Sequence, residues 1–575
     1  MFDLAHESFA KHGDNFFLEE TGGVLIVSEA VLEKRHKDIQ KKKWFLFSKR
    51  QKALSALVAQ LQPPASFLLT CDLPNETVLL TDQTTVTLSN IEISVKLFFV
   101  LLRKTMVTVE EAFSITEQHT DSEDCIREHG MARNSPFWLD NYEAVSILAI
   151  ENIERMAPNS IGCSLKEVDL SDTGLINILP KLRIHVDSEI EILSLTASEE
   201  AHVAEVLKQE KPFCVGRVED MWLEGYAVGV ITKMSLKDCE IEYLSLTASE
   251  EAHVAAVLAQ KKPFCVGRVK DMRFEEYAVG VITKMSPEDC EIESLRLYAP
   301  RKEHVAEVLK QEKPFCVGRV KKMKLTGYAA SVITKMSLKD CGVEDLRMHA
   351  SEEAHVAEVL AQEKPFCVGR VKTMELEDYA VGVITKMGLK DCEFESLSLY
   401  ANEEAHVAGI LKQENPFCVG RVKKMWLGDY AVGVITKMSL KDCEIGMLWL
   451  SASEKEHVAA VLEEENPFCV GRVMNMNIWD YAASVITKMT IHEDNTMKSF
   501  ALDAGRDHLS RILGEGDNSI DLGRIRTGGL RVPEEIKRKL RYTLVDGEGK
   551  EVLEEESDEE VLEEEEPSRR GNLLE

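Results

Sequence analysis

A segment closely similar to HVAEVLKQEKPFCVGRVKDMWLEDYAVGVITKMSLKDC occurs six times at a fixed period of 51 residues, marked by His202, His253, His304, His355, His406 and His457. This period constrains the fold more than composition does. A unit of that size cannot bury its own apolar face, so neighbouring units must stack to close a shared core. No single active site is expected inside such an array.

Each period divides in two, because the pattern L-x-x-L-x-L fits it twice, at Ile241, Leu244, Leu246 and again at Val269, Met272, Phe274. The starts at Val218, Ile241, Val269 and Ile292 are 23, 28 and 23 residues apart, within the roughly 20 to 29 residues of a leucine-rich repeat. The pattern reaches Leu165, Val168, Leu170 at one end and Met497, Phe500, Leu502 at the other, giving about fourteen strand-plus-helix units. IEYLSLTA reads as a strand, and SEEAHVAAVLAQ as a helix with Ala252, Val254, Ala255, Val257 and Leu258 on its apolar stripe and Pro263 as its stop. VGRVKDMRF then reads as strand and YAVGVITKM as helix. These residues resemble the leucine-rich-repeat family, in the all-helical form of ribonuclease inhibitor or NOD-like receptors. The resemblance implies a horseshoe with parallel strands on the concave face and helices outside. Ser249 and Tyr277 stand where the family has Asn or Cys, which leaves the curvature open.

The paired spacing of His202 and Cys214 in each copy admits a metal site, but one His and one Cys per repeat form separate ladders, and a structural role is the plainer reading. Of 14 cysteines, six lie in PFC turns (Cys214, Cys265, Cys316, Cys367, Cys418, Cys469) and five in KDC turns (Cys239, Cys290, Cys341, Cys392, Cys443), leaving Cys71, Cys125 and Cys163 outside. A ladder of buried thiols suits a reducing compartment. With no signal peptide and no apolar run near 20 residues, a cytoplasmic location is expected. The charge of −30 argues against nucleic acid as a partner, because phosphate contacts need a basic stripe. Residues 546 to 575 hold 14 acids against three bases and read as a disordered, solvating tail.

Residues 1 to 164 do not repeat. They carry the basic segment KRHKDIQKKKWFLFSKRQK, with nine Lys or Arg against Asp38 and with Trp44, Phe45 and Phe47 inside it. Cations beside interfacial aromatics suit an anionic leaflet; a strand edge with solvated lysines is the plainer alternative. The order MFDLAHESFAKHGD, GGVLIVSEAVLEK, KKKWFLFSKR, KLFFVLLRKTMVTVEEAF and NYEAVSILAIENIERM resembles the pore-forming domain of gasdermins. By that resemblance the first segment holds a short helix ending in Phe and Lys. The second and the last two hold apolar strands, with a basic-then-acidic turn after KLFFVLLRK. Lys41, Lys42, Lys43, Lys49 and Arg50 would contact acidic membrane lipids, with Trp44 and Phe45 at the interface. Insertion would require self-association into a barrel that closes every strand edge. The stretch from Leu61 to Asn90 is shorter than the family's, and the later part of the pore domain has no counterpart.

The fold class expected is therefore α/β: an α+β gasdermin-like region (1–164), an α/β leucine-rich-repeat-like solenoid (165–510), a C-terminal cap or linker (511–545) and the acidic tail (546–575). The array would mask or unmask the basic N-terminal surface, and the tail, at −11 against +8 for residues 34 to 52, would add screening-sensitive masking. Asp546 in TLVDGEG is a protease candidate or simply a turn. Two functions follow: a membrane-binding or pore-forming protein of cell death (pyroptosis) or innate immunity, recruited from the cytoplasm, or a non-catalytic scaffold binding a protein ligand. For the second, the concave-face positions that differ between copies are Trp222, Arg273, Lys324, Glu375, Trp426 and Asn477; drift after duplication explains such variation equally well. The absence of phosphate-loop, H-E-x-x-H, G-x-S-x-G and paired C-x-x-C motifs argues against an enzyme and gives no reason to expect a cofactor.

Overall fold

The computed structural model describes residues 8–20, 22–31, 58–117, 124–130, 136–140, 146–286 and 290–552. The chain divides into two compact units, Met1–Leu389 and Lys390–Glu575. The principal parallel ladder has 17 strands, ten in the first unit and seven in the second.

The first unit begins with an antiparallel sheet of Ser8–His12, Asn15–Glu20, Gly23–Ser28 and Val78–Leu80. Phe16, Leu18, Leu25, Val27 and Leu79 pack together on it. The described part of the first segment holds the strand Ser8–His12 where the gasdermin resemblance implied a short helix. Gly13, at φ +52°, turns the chain so that Lys11 pairs with Phe16 and His12 with Asn15, and a hairpin satisfies these backbone groups without a helix. Strands Ser66–Leu69, Thr85–Leu88 and Met106–Val109 then pair in parallel.

Two further segments expected as strands are helices, Val95–Lys104 and Ile147–Arg155. Ser94 Oγ accepts from Leu97 N–H at the first start, and Arg103 and Lys104 occupy the last turn, favourable to the helix dipole. Ser146 Oγ accepts from Ala149 N–H in the same way at the second. Asn152, fully buried, explains the helix pairing: its Oδ1 accepts from Val107 N–H at 2.9 Å, and its amide donates to Leu102 O at 2.9 Å and Thr105 O at 2.8 Å. A buried amide with its bonds made locks helix to strand, because an alternative packing would strand the same polar atoms.

In the array, strands Glu240–Ala248 and Arg268–Glu276 are nine residues each and pair in parallel, setting Ile241 beside Val269, Leu244 beside Met272 and Leu246 beside Phe274. All six side chains are buried. Like positions stack on like positions through successive repeats, which is how one apolar pattern builds a continuous core. From Leu165–Ser171 to Ser499–Asp503 the ladder has fifteen strands, of which Glu393–Phe394 and Ser396–Ala401 are two pieces of one repeat strand, so fourteen units follow the expected pattern. The strand-helix alternation continues to Ile520–Arg526 and Leu540–Val545, paired in parallel.

The two halves return differently. The 28-residue half uses an α-helix, Glu251–Leu258, which ends five residues before Pro263, and likewise Ala405–Leu411; in the other copies a 3-10 turn runs into a short α-helix, as Glu353–His355 into Ala357–Leu360. The 23-residue half uses a 3-10 helix, Tyr277–Lys284, so YAVGVITK is not the α-helix of an all-helical repeat. The reason is reach: eight residues advance about 16 Å as 3-10 but about 12 Å as α, and the shorter half must retrace a strand of equal length. Lysines at the end of these 3-10 helices reach back to the carbonyl just past the preceding helix. Lys233 Nζ donates to Gln209 O at 2.7 Å, Lys335 Nζ to Gln311 O at 2.8 Å and Lys386 Nζ to Gln362 O at 2.9 Å. In the second unit Lys488 Nζ donates to Glu464 O at 2.6 Å. A cation on an orphan helix-end carbonyl is favourable on both charge and hydrogen-bond grounds.

Candidate recognition surface

Strand geometry sends alternate side chains to opposite faces. In Arg217–Gly225, Met221 and Leu223 go to the core while Trp222 points outward. The equivalent positions Arg273, Lys324 and Glu375 in the first unit, and Trp426 and Asn477 in the second, likewise alternate with buried neighbours. Pairing joins them into rows. In the first unit the register runs Trp222, Ser245, Arg273, Arg296, Lys324, Arg347, Glu375 across consecutive strands, spaced by about 4.8 Å. In the second it runs Ser398, Trp426, Trp449, Asn477. The residues from the other half of each repeat, Arg296, Arg347 and Trp449 among them, escaped the sequence reading although LRL, LRM and LWL occupy the same pattern position.

The first row thus carries four consecutive cations, in a chain whose net charge is −30. Arg296 Nη2 lies 2.5 Å from Asp271 Oδ2, Arg347 Nη1 lies 3.1 Å from Glu375 Oε2, and Arg273 pairs with Glu275. Lys324 has no ion pair among the described residues. A groove of about 470 Å³ lies along Arg273, Arg296, Tyr298, Lys322, Lys324 and Arg347. Burial, then Glu375, raises the Glu377 carboxyl above its ordinary range, with His349 and Lys324 opposing.

The second row is aromatic. Trp426, 42% exposed, has its ring centroid 5.7 Å from those of both Trp449 and Trp479, stacking on the latter at 29° between planes. A groove of about 330 Å³ runs beside Trp426, Ser451, Trp479 and Asp503. Exposed aromatic clusters and arginines are the side chains that concentrate binding energy at protein interfaces.

The repeated histidines are architectural. Each lies at the start of its return helix, and in four copies its Nδ1 accepts the backbone N–H three residues earlier: Glu250 to His253 at 3.4 Å, Glu352 to His355 at 3.3 Å, Glu403 to His406 at 3.3 Å and Glu454 to His457 at 3.3 Å. His202 Nδ1 instead lies 3.7 Å from Asp172 Oδ1, and His304 Nε2 accepts from Arg301 Nε at 3.0 Å. The rings also meet the tyrosine of the preceding half, Tyr226 and His253 at 4.7 Å and Tyr328 and His355 at 4.6 Å between centroids. No group of three or more His, Cys, Asp or Glu that could hold a metal occurs among the described residues.

The lipid-contact candidates Lys41, Lys42, Lys43, Trp44, Phe45, Lys49 and Arg50 lie outside the described residues, as does the acidic tail from residue 553. Asp546 heads a turn in which its Oδ1 accepts from Glu548 N–H at 2.8 Å and Lys550 N–H at 2.9 Å. No described helix is long and apolar enough to cross a membrane. No protein-family model, no curated protein and no solved structure matches the chain.

Proposed function

We propose that the chain is a non-catalytic recognition protein whose exposed strand face binds a protein ligand. The observation that carries this is the contrast within single strands: buried positions stay aliphatic or aromatic from copy to copy, while the outward position between them runs through Trp, Arg, Lys, Glu, Trp and Asn. Packing accounts for the first; drift after duplication also produces the second, and the row of four consecutive cations and the tryptophan cluster at these positions are what favour recognition. Affinity capture with the full chain tests the reading by comparing Arg296→Ser/Lys324→Ser and Trp426→Ser with a helix-side control, Lys302→Ser. The proposal predicts a defined protein lost at least ten-fold from the strand-face variants and retained by the control. An identical captured set for all variants would reject it.

A second reading, membrane binding and pore formation held in check by the array in cell death or innate immune signalling, is supported by the order of the gasdermin-like segments and by the nine Lys or Arg with three aromatics in residues 34–52. Charge attraction of that kind acts on anionic vesicles and weakens with salt. On this reading the full chain binds phosphoinositide vesicles at low salt and Lys41→Glu/Lys42→Glu/Lys43→Glu does not. Equal binding by both proteins would count against it.

A further inference from the structure

The PFC and KDC cysteines of one copy are 25 residues apart in sequence, and the fold brings them together. Cys265 Sγ lies 3.3 Å from Cys290 Sγ, and Cys341 Sγ donates to Cys316 Sγ at 2.8 Å. The bridge between Phe315 and Met336 sets this juxtaposition by holding the PFC turn against the end of the 3-10 helix. All fourteen cysteines are thiols.

The 316/341 pair differs from the others for a reason visible in the sequence. Here the KDC turn is followed by Gly342, where other copies have Glu. Gly342, at φ +72°, ends a helical turn over Leu338–Cys341, its N–H bonding Leu338 O at 3.1 Å. A left-handed helix end is what glycine permits, and the turn aims the Cys341 thiol at its partner. Cys316 is partly accessible and Cys341 is buried. The Cys341 hydrogen bond, working against burial, brings the Cys316 thiol down to about 7. Giving that hydrogen bond, and then burial, raises Cys341. In the neighbouring copies burial pushes Cys290 up to about 12 and Cys239 up to about 11. Cys341 also borders a groove of about 1040 Å³ whose rim includes Arg319, Lys339, Arg370, Asp340 and Glu344.

We propose that Cys316 and Cys341 form a redox-active dithiol site, with Cys316 the attacking thiol and Cys341 the resolving thiol, that exchanges with a small zwitterionic disulfide. Cys316 thiolate attacks one sulfur of the disulfide RSSR, forming a Cys316–SR bond and releasing RS⁻, which takes a proton to become RSH. Cys341, losing its proton to solvent, then attacks the Cys316 sulfur, forms the Cys316–Cys341 bond and releases a second RSH. The two protein thiols are oxidised and RSSR is reduced to two RSH. Attack by the accessible low-pKa thiol and resolution by its buried neighbour is the order that thiolate availability and access favour. Cys341, whose Sγ lies 2.8 Å from Cys316 Sγ, is the member of the pair that lines the groove, and charges of both signs on its rim suit a peptide disulfide carrying carboxylates and an ammonium group.

The test equilibrates the full chain in a series of oxidised and reduced glutathione, traps thiols by alkylation and identifies linked peptides by mass spectrometry. The Cys316–Cys341 disulfide is expected at ratios at least ten-fold more reducing than any Cys265–Cys290 disulfide. Cys341→Ser is expected to hold Cys316 as a stable glutathione mixed disulfide, forming faster than at exposed Cys367, and Gly342→Glu to remove the advantage over the neighbouring copy. Recovery of both cysteines as alkylated thiols at the most oxidising ratio would overturn the proposal. So would a mixed disulfide at Cys316 in Cys341→Ser that forms no faster than at Cys367.

Discussion

Six strands of the array end on a residue with positive φ: Gly225, Glu276, Gly327, Asp378, Asp429 and Asp480, at φ between +49° and +67°. Glycine adopts this backbone freely and other residues at a cost of about 1 to 3 kcal/mol. A Cβ built on Gly225 would meet Ala197 O at 2.2 Å, so the backbone must shift to admit one. Gly225→Ala is therefore expected to destabilise its strand by at least about 1 to 3 kcal/mol, and Glu276→Gly to stabilise its own by up to about 1 kcal/mol. Hydrogen exchange of the strand amides reads both as opening free energies; two neutral substitutions would mean that the strain is relieved elsewhere. The alternation of Gly with Asp and Glu at this position is plain in the sequence, yet nothing there says that φ is positive. Only the close approach of the preceding strand's carbonyl does. The same holds for Asn152, an ordinary helix residue in sequence whose bonds to Leu102, Thr105 and Val107 depend on partners 45 to 50 positions away.

At the level of elements, the helix caps carry a pH dependence. His355 Nδ1 accepts from Glu352 N–H, which a protonated ring cannot do. Burial holds its pKa below the ordinary value of 6.5, with Glu352 opposing and His349 reinforcing the shift; burial and then Arg301 act likewise on His304, whose Nε2 accepts from Arg301 Nε in place of a cap bond. For a group with a depressed folded pKa the unfolded chain binds the proton more readily. The stabilisation is complete above about pH 6.5 and is lost as pH falls through the folded value. Thermal melting of the full chain is accordingly expected to drop between pH 7.5 and 5.5. His355→Asn, whose amide oxygen accepts the same bond without titrating, is expected to lose part of that drop; a variant with the wild-type pH profile would assign the slope to other groups. The helix after His355 was legible from its apolar spacing. The type of the other helix was not, because a 3-10 and an α-helix bury similar faces and differ mainly in the distance they span.

For the whole molecule, the period makes each repeat answer chiefly to its neighbours. Lys233→Met and Lys335→Met each remove one cation from a helix-end carbonyl, and each is expected to cost about 1 to 2 kcal/mol. Lying two copies apart, they share no partner, so their effects are expected to add within about 0.5 kcal/mol in the double variant. A coupling well above that, measured by local hydrogen exchange in each copy, would show that the first unit responds as one cooperative body.

The sequence by itself determined the period, its division into two halves, the buried strand positions and the fourteen-unit count, because repetition and alternation are local patterns that stacking can satisfy in one way. It also singled out Trp222, Arg273, Lys324, Glu375, Trp426 and Asn477 as variable. What only the tertiary structure decided is which of those residues stand in one row with Arg296, Arg347 and Trp449, and that Cys316 and Cys341 touch. It also decided that Val95–Lys104 and Ile147–Arg155 are helical and Ser8–His12 is not. Rows and thiol pairs depend on strand register and on the length of each return helix, quantities fixed by the packing of neighbours rather than by any stretch of chain alone.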